Sequence, residues 1–193
     1  MGLLKVSSKW DDVLINPSQG EHIVQLYWNQ LRLIHAVSLF VIQGFERGEA
    51  VVLVLTPGLR LDLERRLSRE GWDVPHLEET SQLTFLDAEA MLSEFMVDGM
   101  PDSKFFSNAI GRRIVGVRGD GRWTRIRAFG EMVNLLWDTN LPATIRLEEL
   151  WNDLVAKESL TLFCAYCVRE NENHGRKEFP AALQHAHTHL IPV

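Results

Sequence analysis

Three histidines and two cysteines are the residues of this chain whose type and spacing speak most directly of chemistry. His185, His187 and His189 alternate near the C-terminal end. In an extended strand the three imidazoles share one face, and in a helix His185 and His189 stand at i,i+4. Either arrangement suits a zinc, iron or haem ligand set. Cys164 or Glu131 is a candidate further ligand, because parallel strands bring their C-terminal ends together. The plainer reading is that histidines late in a chain are solvated. Cys164-Ala165-Tyr166-Cys167 has metal or redox spacing, yet a single such pair is a weak signal. Cys164 by itself reads as a small buried apolar residue.

The elements that would position these groups alternate between strand and helix. Residues 1–19 are polar and aperiodic and read as an N-terminal arm closed by a turn at Asn16-Pro17-Ser18-Gln19-Gly20. His22–Tyr27 is a short β-branched strand. Residues 29–48 carry apolar side chains on one broad helical face, with Asn29 as N-cap and Gly48 past the end. Ala50–Leu55 is an unbroken apolar run, the mark of a strand buried on both faces. Helices are predicted over 59–70, 88–97, 102–117, 131–137, 143–157 and 180–185, and strands over 83–86, 124–129 and 160–166, with a polar loop from Arg169 to Lys177. This order predicts one α/β domain over 20–193, three-layered, with a mostly parallel central sheet and helices on both faces.

The sequence of strand, long helix, Gly48-Glu49 and buried strand is how a P-loop core begins. Such a core needs a glycine-rich loop ending in Lys and Ser or Thr. Here the matching stretch is Tyr27-Trp28-Asn29-Gln30-Leu31-Arg32, with no glycine and two bulky aromatics. Arg32 can touch an anion, but one arginine is not a phosphate cradle. ATP hydrolysis is therefore not expected.

Six stretches in order resemble the MEDS family of methanogen/methylotroph sensory domains. They are Gly20–Tyr27, Phe45–Glu49, Arg127–Met132, Leu147–Asn152, Leu162–Tyr166 and His189. That family is similar to KaiC/RecA-like ATPases, so the resemblance implies a RecA/KaiC-like sheet with its catalytic parts lost. Thr56-Pro57 stands where those ATPases carry an acidic pair, and Phe129-Gly130-Glu131 where they end a strand in a metal-binding aspartate. The resemblance implies a sensor of small molecules, with hydrocarbon derivatives as the proposed class. It also implies a histidine kinase, an anti-sigma-factor ATPase or a DNA-binding regulator as the output partner. Two rivals stand beside it: a metal- or nucleotide-dependent hydrolase on the same core, and a dimerisation scaffold that binds no ligand.

On this reading the ligand pocket lies at the C-terminal edge of the sheet, where open parallel sheets place ligands. Its expected lining is His22, Tyr27, Glu131, Tyr166 and His189, with Arg32, Glu148 and Cys164 as further ligand-binding candidates. Glu131, at a strand-to-helix junction, would accept a ligand hydrogen bond or cap its own helix. Glu148-Glu149 would ordinarily be a solvated face, and only the resemblance marks Glu148 for the site. Met91, Phe95, Met96 and Met100 read as core before they read as a soft ligand wall. Trp137 and Trp151 read as a helix seam or a homodimer surface.

Charge narrows the partners. The net charge is −6, which argues against nucleic acid. Arg112, Arg113, Arg118, Arg122, Arg125 and Arg127 read as a solvated helix end and turn rather than a binding patch. No apolar run reaches the roughly 18 residues of a membrane span, and the N-terminus lacks a signal pattern. A cytoplasmic protein with no disulfide framework is expected.

Overall fold

A computed structural model describes residues 5–6, 10–119, 121–168, 170–171, 175–176 and 179–192. Most of the first nine residues, Asp120, much of the loop from Arg169 to Lys177 and Val193 lie outside the described residues. The strands are β1 (Lys5–Val6), β2 (His22–Tyr27), β3 (Ala50–Leu55), β4 (Leu83–Asp87), β5 (Met96–Val97), β6 (Met100–Pro101), β7 (Ile126–Gly130), β8 (Thr161–Cys167), β9 (Glu170–Asn171), β10 (Gly175–Arg176) and β11 (His189–Ile191). The helices are α1 (Trp10–Ile15), α2 (Gln30–Glu46), α3 (Pro57–Arg69), α4 (Val74–Glu79), α5 (Ala88–Phe95), α6 (Ser103–Phe106), α7 (Arg112–Arg118), α8 (Met132–Trp137), α9 (Leu141–Glu158) and α10 (Ala181–His185), with one π-turn, Ser107–Gly111, joining α6 to α7.

Seven strands form one sheet in the order β1-β11-β2-β8-β7-β3-β4, and every neighbouring pair is parallel. The expected three-layer α/β architecture is therefore the observed one. Alternation along each strand sends successive side chains to opposite faces. Ile23, Val51, Leu53, Phe129 and Phe163 join a core under α1–α4. Val24, Val52, Ala128, Leu162 and Cys164 join a second core under α5–α10. The predicted spans hold to within a few residues for most elements.

Four local expectations change. The arm is not wholly irregular: Trp10–Ile15 is helical with Leu14 buried, and Lys5-Val6 pairs with β11 at the sheet edge. The short helix α4, started by the Asp73 cap and Pro75, was not anticipated. The helix predicted over 88–97 stops at Phe95, because Asp98 and Gly99 both take positive φ and fold β5 onto β6 as a tight hairpin. Of the four residues read there as core, Met91 and Phe95 are buried, Met96 is partly so, and Met100 is exposed.

Arg127 is the fourth correction, since it is buried rather than part of a solvated arginine run. It lies on β7 facing α2, and its Nε donates to Glu49 Oε2. Its Nη1 donates to the carbonyls of Leu14 (2.8 Å) and Phe40 (3.0 Å), and its Nη2 to that of Ile15 (3.2 Å). Arg125 adds a second contact to Glu49 Oε1 at 3.2 Å. Gly44 makes the space: a Cβ there would stand 3.0 Å from Arg127 Cδ and 3.1 Å from Val51 Cγ2. One guanidinium thus ties α1, α2 and the loop before β3 to the sheet. Arg127→Met is expected to cost about 3–5 kcal/mol in urea unfolding, because it leaves the buried Glu49 with only the exposed Arg125 as an ion-pair partner. Adding Glu49→Leu is expected to restore part of that loss.

Candidate functional site

Helix α9 packs on the sheet through Thr144, Leu147, Trp151 and Val155, all buried at i, i+3, i+4 spacing. Glu148 falls inside that stripe and is fully buried, while Glu149 is exposed. The expectation of a solvated Glu148-Glu149 face therefore fails for Glu148. Opposite it the sheet presents polar groups: His22 opens β2, and Cys164 and Tyr166 lie on β8 with the same face toward α9. His187, in the turn between α10 and β11, completes the group.

The contacts are close. Glu148 Oε2 lies 3.4 Å from His22 Nε2, and Oε1 lies 3.1 Å from His187 Nε2. Tyr166 donates its hydroxyl proton to Oε1. Cys164 Sγ is 3.3 Å from His22 Nε2 and 3.8 Å from Glu148 Oε2. Asn152, one turn after Glu148, donates from Nδ2 to the Ala186 carbonyl at 2.9 Å, which leaves its Oδ1 to meet His22 Nδ1, also at 2.9 Å. Phe179 and Trp137 pack their rings against Tyr166 and wall off that side.

Burial, and next the neighbouring His187, depresses His22 to about 4, so its imidazole is neutral at neutral pH. Burial opposes ionisation of Glu148, but attraction to His187 and His22, with the hydrogen bond from Tyr166, holds its carboxyl at about 2. The Cys164 thiol and the Tyr166 phenol are both pushed well up, by burial first and the Glu148 charge second. The cluster therefore holds one carboxylate beside a neutral His22, a protonated thiol and a protonated phenol. Its donor types, two imidazoles, a thiol and a carboxylate, are those that hold borderline-soft cations.

A second feature lies at the C-terminal edge of the sheet, as parallel-sheet geometry leads one to expect. An open pocket of about 430 Å³ is lined by Tyr27, Trp28, Gln30, Leu33, Thr56, Gly58, Leu59, Glu131, Asn134, Asp138 and Cys167. Glu131 does not cap its own helix α8. Its Oε2 instead accepts from the Thr56 amide at 2.8 Å, while its own amide donates to Val54, which joins the ends of β3 and β7. Asn134 Oδ1 accepts from the Cys167 amide at 2.8 Å. The helix N-termini facing this edge are closed by their own chain: Asn29 accepts from Leu31 in α2, and Thr56 from Leu59 in α3.

The residues expected to share one pocket are thus divided between two places. Tyr27 and Glu131 line the edge pocket, whereas His22, Glu148, Cys164 and Tyr166 form the buried cluster. Arg32 is exposed on α2 and lines neither. His189 pairs in register with Ile23, on the α1–α4 side, and its Nε2 meets Glu21 Oε1 at 3.0 Å. His185 is exposed at the end of α10. The three histidines share no face, because the stretch from His185 to His189 runs from a helix end through a turn into a strand. Cys164 and Cys167 sit three apart in one strand and so face opposite cores. Asn152 was not singled out beforehand. Its signal was the i,i+4 spacing from Glu148.

The comparisons with known proteins follow from this geometry. A family model described as "MEthanogen/methylotroph, DcmR Sensory domain" (MEDS) matches residues 21–189. No curated protein sequence matches this chain. Among solved structures, a KaiC-like protein from the hyperthermophilic archaeon Pyrococcus horikoshii OT3 is similar with a TM-score of 0.49 and 19% identity, over 76% of this chain and 62% of that one. This chain thus spans less than two thirds of that protein's length.

The buried cluster yields a direct test. Tyr166→Phe removes one hydrogen bond to an ionised group without changing side-chain shape. It is expected to lower stability by about 1.5–3 kcal/mol in urea unfolding.

Proposed function

This chain belongs to the MEDS family of sensory domains, and from that premise we propose that it is a signal-input domain that binds a small organic molecule in the edge pocket without turning it over. The observation that carries the reading is the charge of the lining. Glu131 and Asp138 contribute carboxylates, and no lysine or arginine is among the described lining residues. Such a pocket repels a nucleotide triphosphate and favours an uncharged or cationic guest. The self-capped starts of α2 and α3 support the same reading, because one first-turn amide of each helix is already met by its own cap side chain.

Leu33, Leu59, Tyr27 and Trp28 supply apolar wall, and Glu131, Asn134 and Gln30 supply polar anchors. The matching ligand class is a small hydrocarbon derivative bearing an amine or hydroxyl. Gain or loss of the guest would bias the mouth of the pocket, where Trp28 is 56% exposed. A histidine kinase or anti-sigma-factor partner would read that bias, provided the two states differ in affinity for the guest. No helix among the described residues is long and apolar enough to cross a membrane.

The test is titration of the full chain with methylated amines, short alcohols and magnesium-ATP, followed by calorimetry and tryptophan fluorescence. One organic class is expected to bind saturably. Glu131→Gln keeps an acceptor for the Thr56 amide but removes the charge, and is expected to weaken an amine at least about tenfold. Magnesium-ATP binding more tightly than every organic guest, or organic binding indifferent to Glu131→Gln and Asn134→Ala, would overturn the proposal.

A further inference from the structure

The buried cluster under α9 shares no lining residue with the edge pocket, and its side chains aim ligand-type atoms at one centre. Asn152 Oδ1 can only accept, so His22 carries its proton on Nδ1. The Leu183 carbonyl, 2.6 Å from His187 Nδ1, likewise takes a proton from that nitrogen. Both Nε2 atoms point at the Glu148 carboxylate, at 3.4 and 3.1 Å, and His22 Nε2 also meets Cys164 Sγ at 3.3 Å. His187 Nε2 is buried and makes no aligned hydrogen bond. Four atoms of metal-ligating type, two imidazole nitrogens, a sulfur and a carboxylate oxygen, thus converge among buried residues.

We infer that His22 Nε2, His187 Nε2, Cys164 Sγ and a Glu148 carboxylate oxygen are the four ligands of a tetrahedral divalent metal site of the zinc class. The four donor atoms lie within 4.8 Å of one another. His22 Nε2, Cys164 Sγ and Glu148 Oε2 lie 3.3–3.8 Å apart, and His187 Nε2 is 3.1 Å from Glu148 Oε1, close to the edges of a zinc tetrahedron, about 3.3–3.8 Å given Zn–N near 2.0–2.1 Å and Zn–S near 2.3 Å. The outer contacts are those of a metal site too: each histidine is oriented through Nδ1 by an acceptor, and the carboxylate by the Tyr166 hydroxyl. Binding forms a metal–sulfur bond and releases the Cys164 thiol proton to solvent.

With all four positions filled by protein and all four residues buried, the site is closed and structural rather than hydrolytic. It joins β2, β8, α9 and the turn before β11. Its effect is to clamp the C-terminal segment onto the sheet.

The test uses the full chain. Zinc is expected at one equivalent by elemental mass spectrometry after zinc-supplemented growth. The chelated chain refilled with cobalt(II) is expected to show the visible bands of a tetrahedral ion and a thiolate-to-cobalt charge-transfer band. Cys167→Ser is expected to keep that band and Cys164→Ser to lose it. Asn152→Ala, which acts only through the orientation of His22, is expected to weaken zinc about 10–100-fold while the cobalt spectrum keeps its tetrahedral form. If Cys164→Ser does not fold, the band in the parent chain and in Cys167→Ser decides the matter. A chain that binds neither ion would overturn the inference. So would a cobalt spectrum without a thiolate band, or one lost in Cys167→Ser. None of these results bears on the edge pocket, which is read out by organic titration.

Discussion

A sheet covered by helices on both faces gives a polar side chain in its middle no route to water. Every such group must therefore find its partner within the protein. Both polar clusters of this chain follow from that constraint. On the α1–α4 side, Arg127 is accommodated because Gly44 clears space for its stem and because Glu49 and three carbonyls surround its head. On the α9 side, Glu148 is accommodated because His22, His187, Tyr166 and Cys164 close around it. The alternation of strand side chains keeps the two clusters apart, although their residues lie on adjacent strands.

This division separates two kinds of environment. The α9 cluster is buried under a helix. The edge pocket is open and built from strand ends and helix starts, the parts of an α/β fold that tolerate change. Glu131 illustrates the difference from Glu148. One is an acid just past a strand end that bridges to the Thr56 amide at the rim, and the other is a mid-helix acid sealed against the sheet.

The layers were legible in the sequence because hydrophobic periodicity reports burial: Ala50–Leu55 reads as a two-faced strand and is one. The pocket at the sheet edge was legible from topology. Which residues meet was not. Glu148 and Glu149 are the same residue type, and only the phase of α9 against the sheet sends one inward. His185, His187 and His189 are evenly spaced, yet a change of backbone conformation between them sends each to a different place. Asp98-Gly99 was a readable turn signal, outweighed by the helical pattern before it. Arg127 was obscured by its arginine neighbours, and only the register of β7 distinguishes it.

The strand order carries a consequence for how the chain is made. Strand β11, near the end of the sequence, lies between β1 and β2. During synthesis on the ribosome, β2 can recruit β8 as soon as that strand emerges, but β1 has no sheet neighbour until β11 has been released and inserted. The segment around β1 therefore stays without a strand partner until β11 has emerged, while the carbonyls of α1 can already meet Arg127. The last strand to arrive is the one that lets the first strand dock.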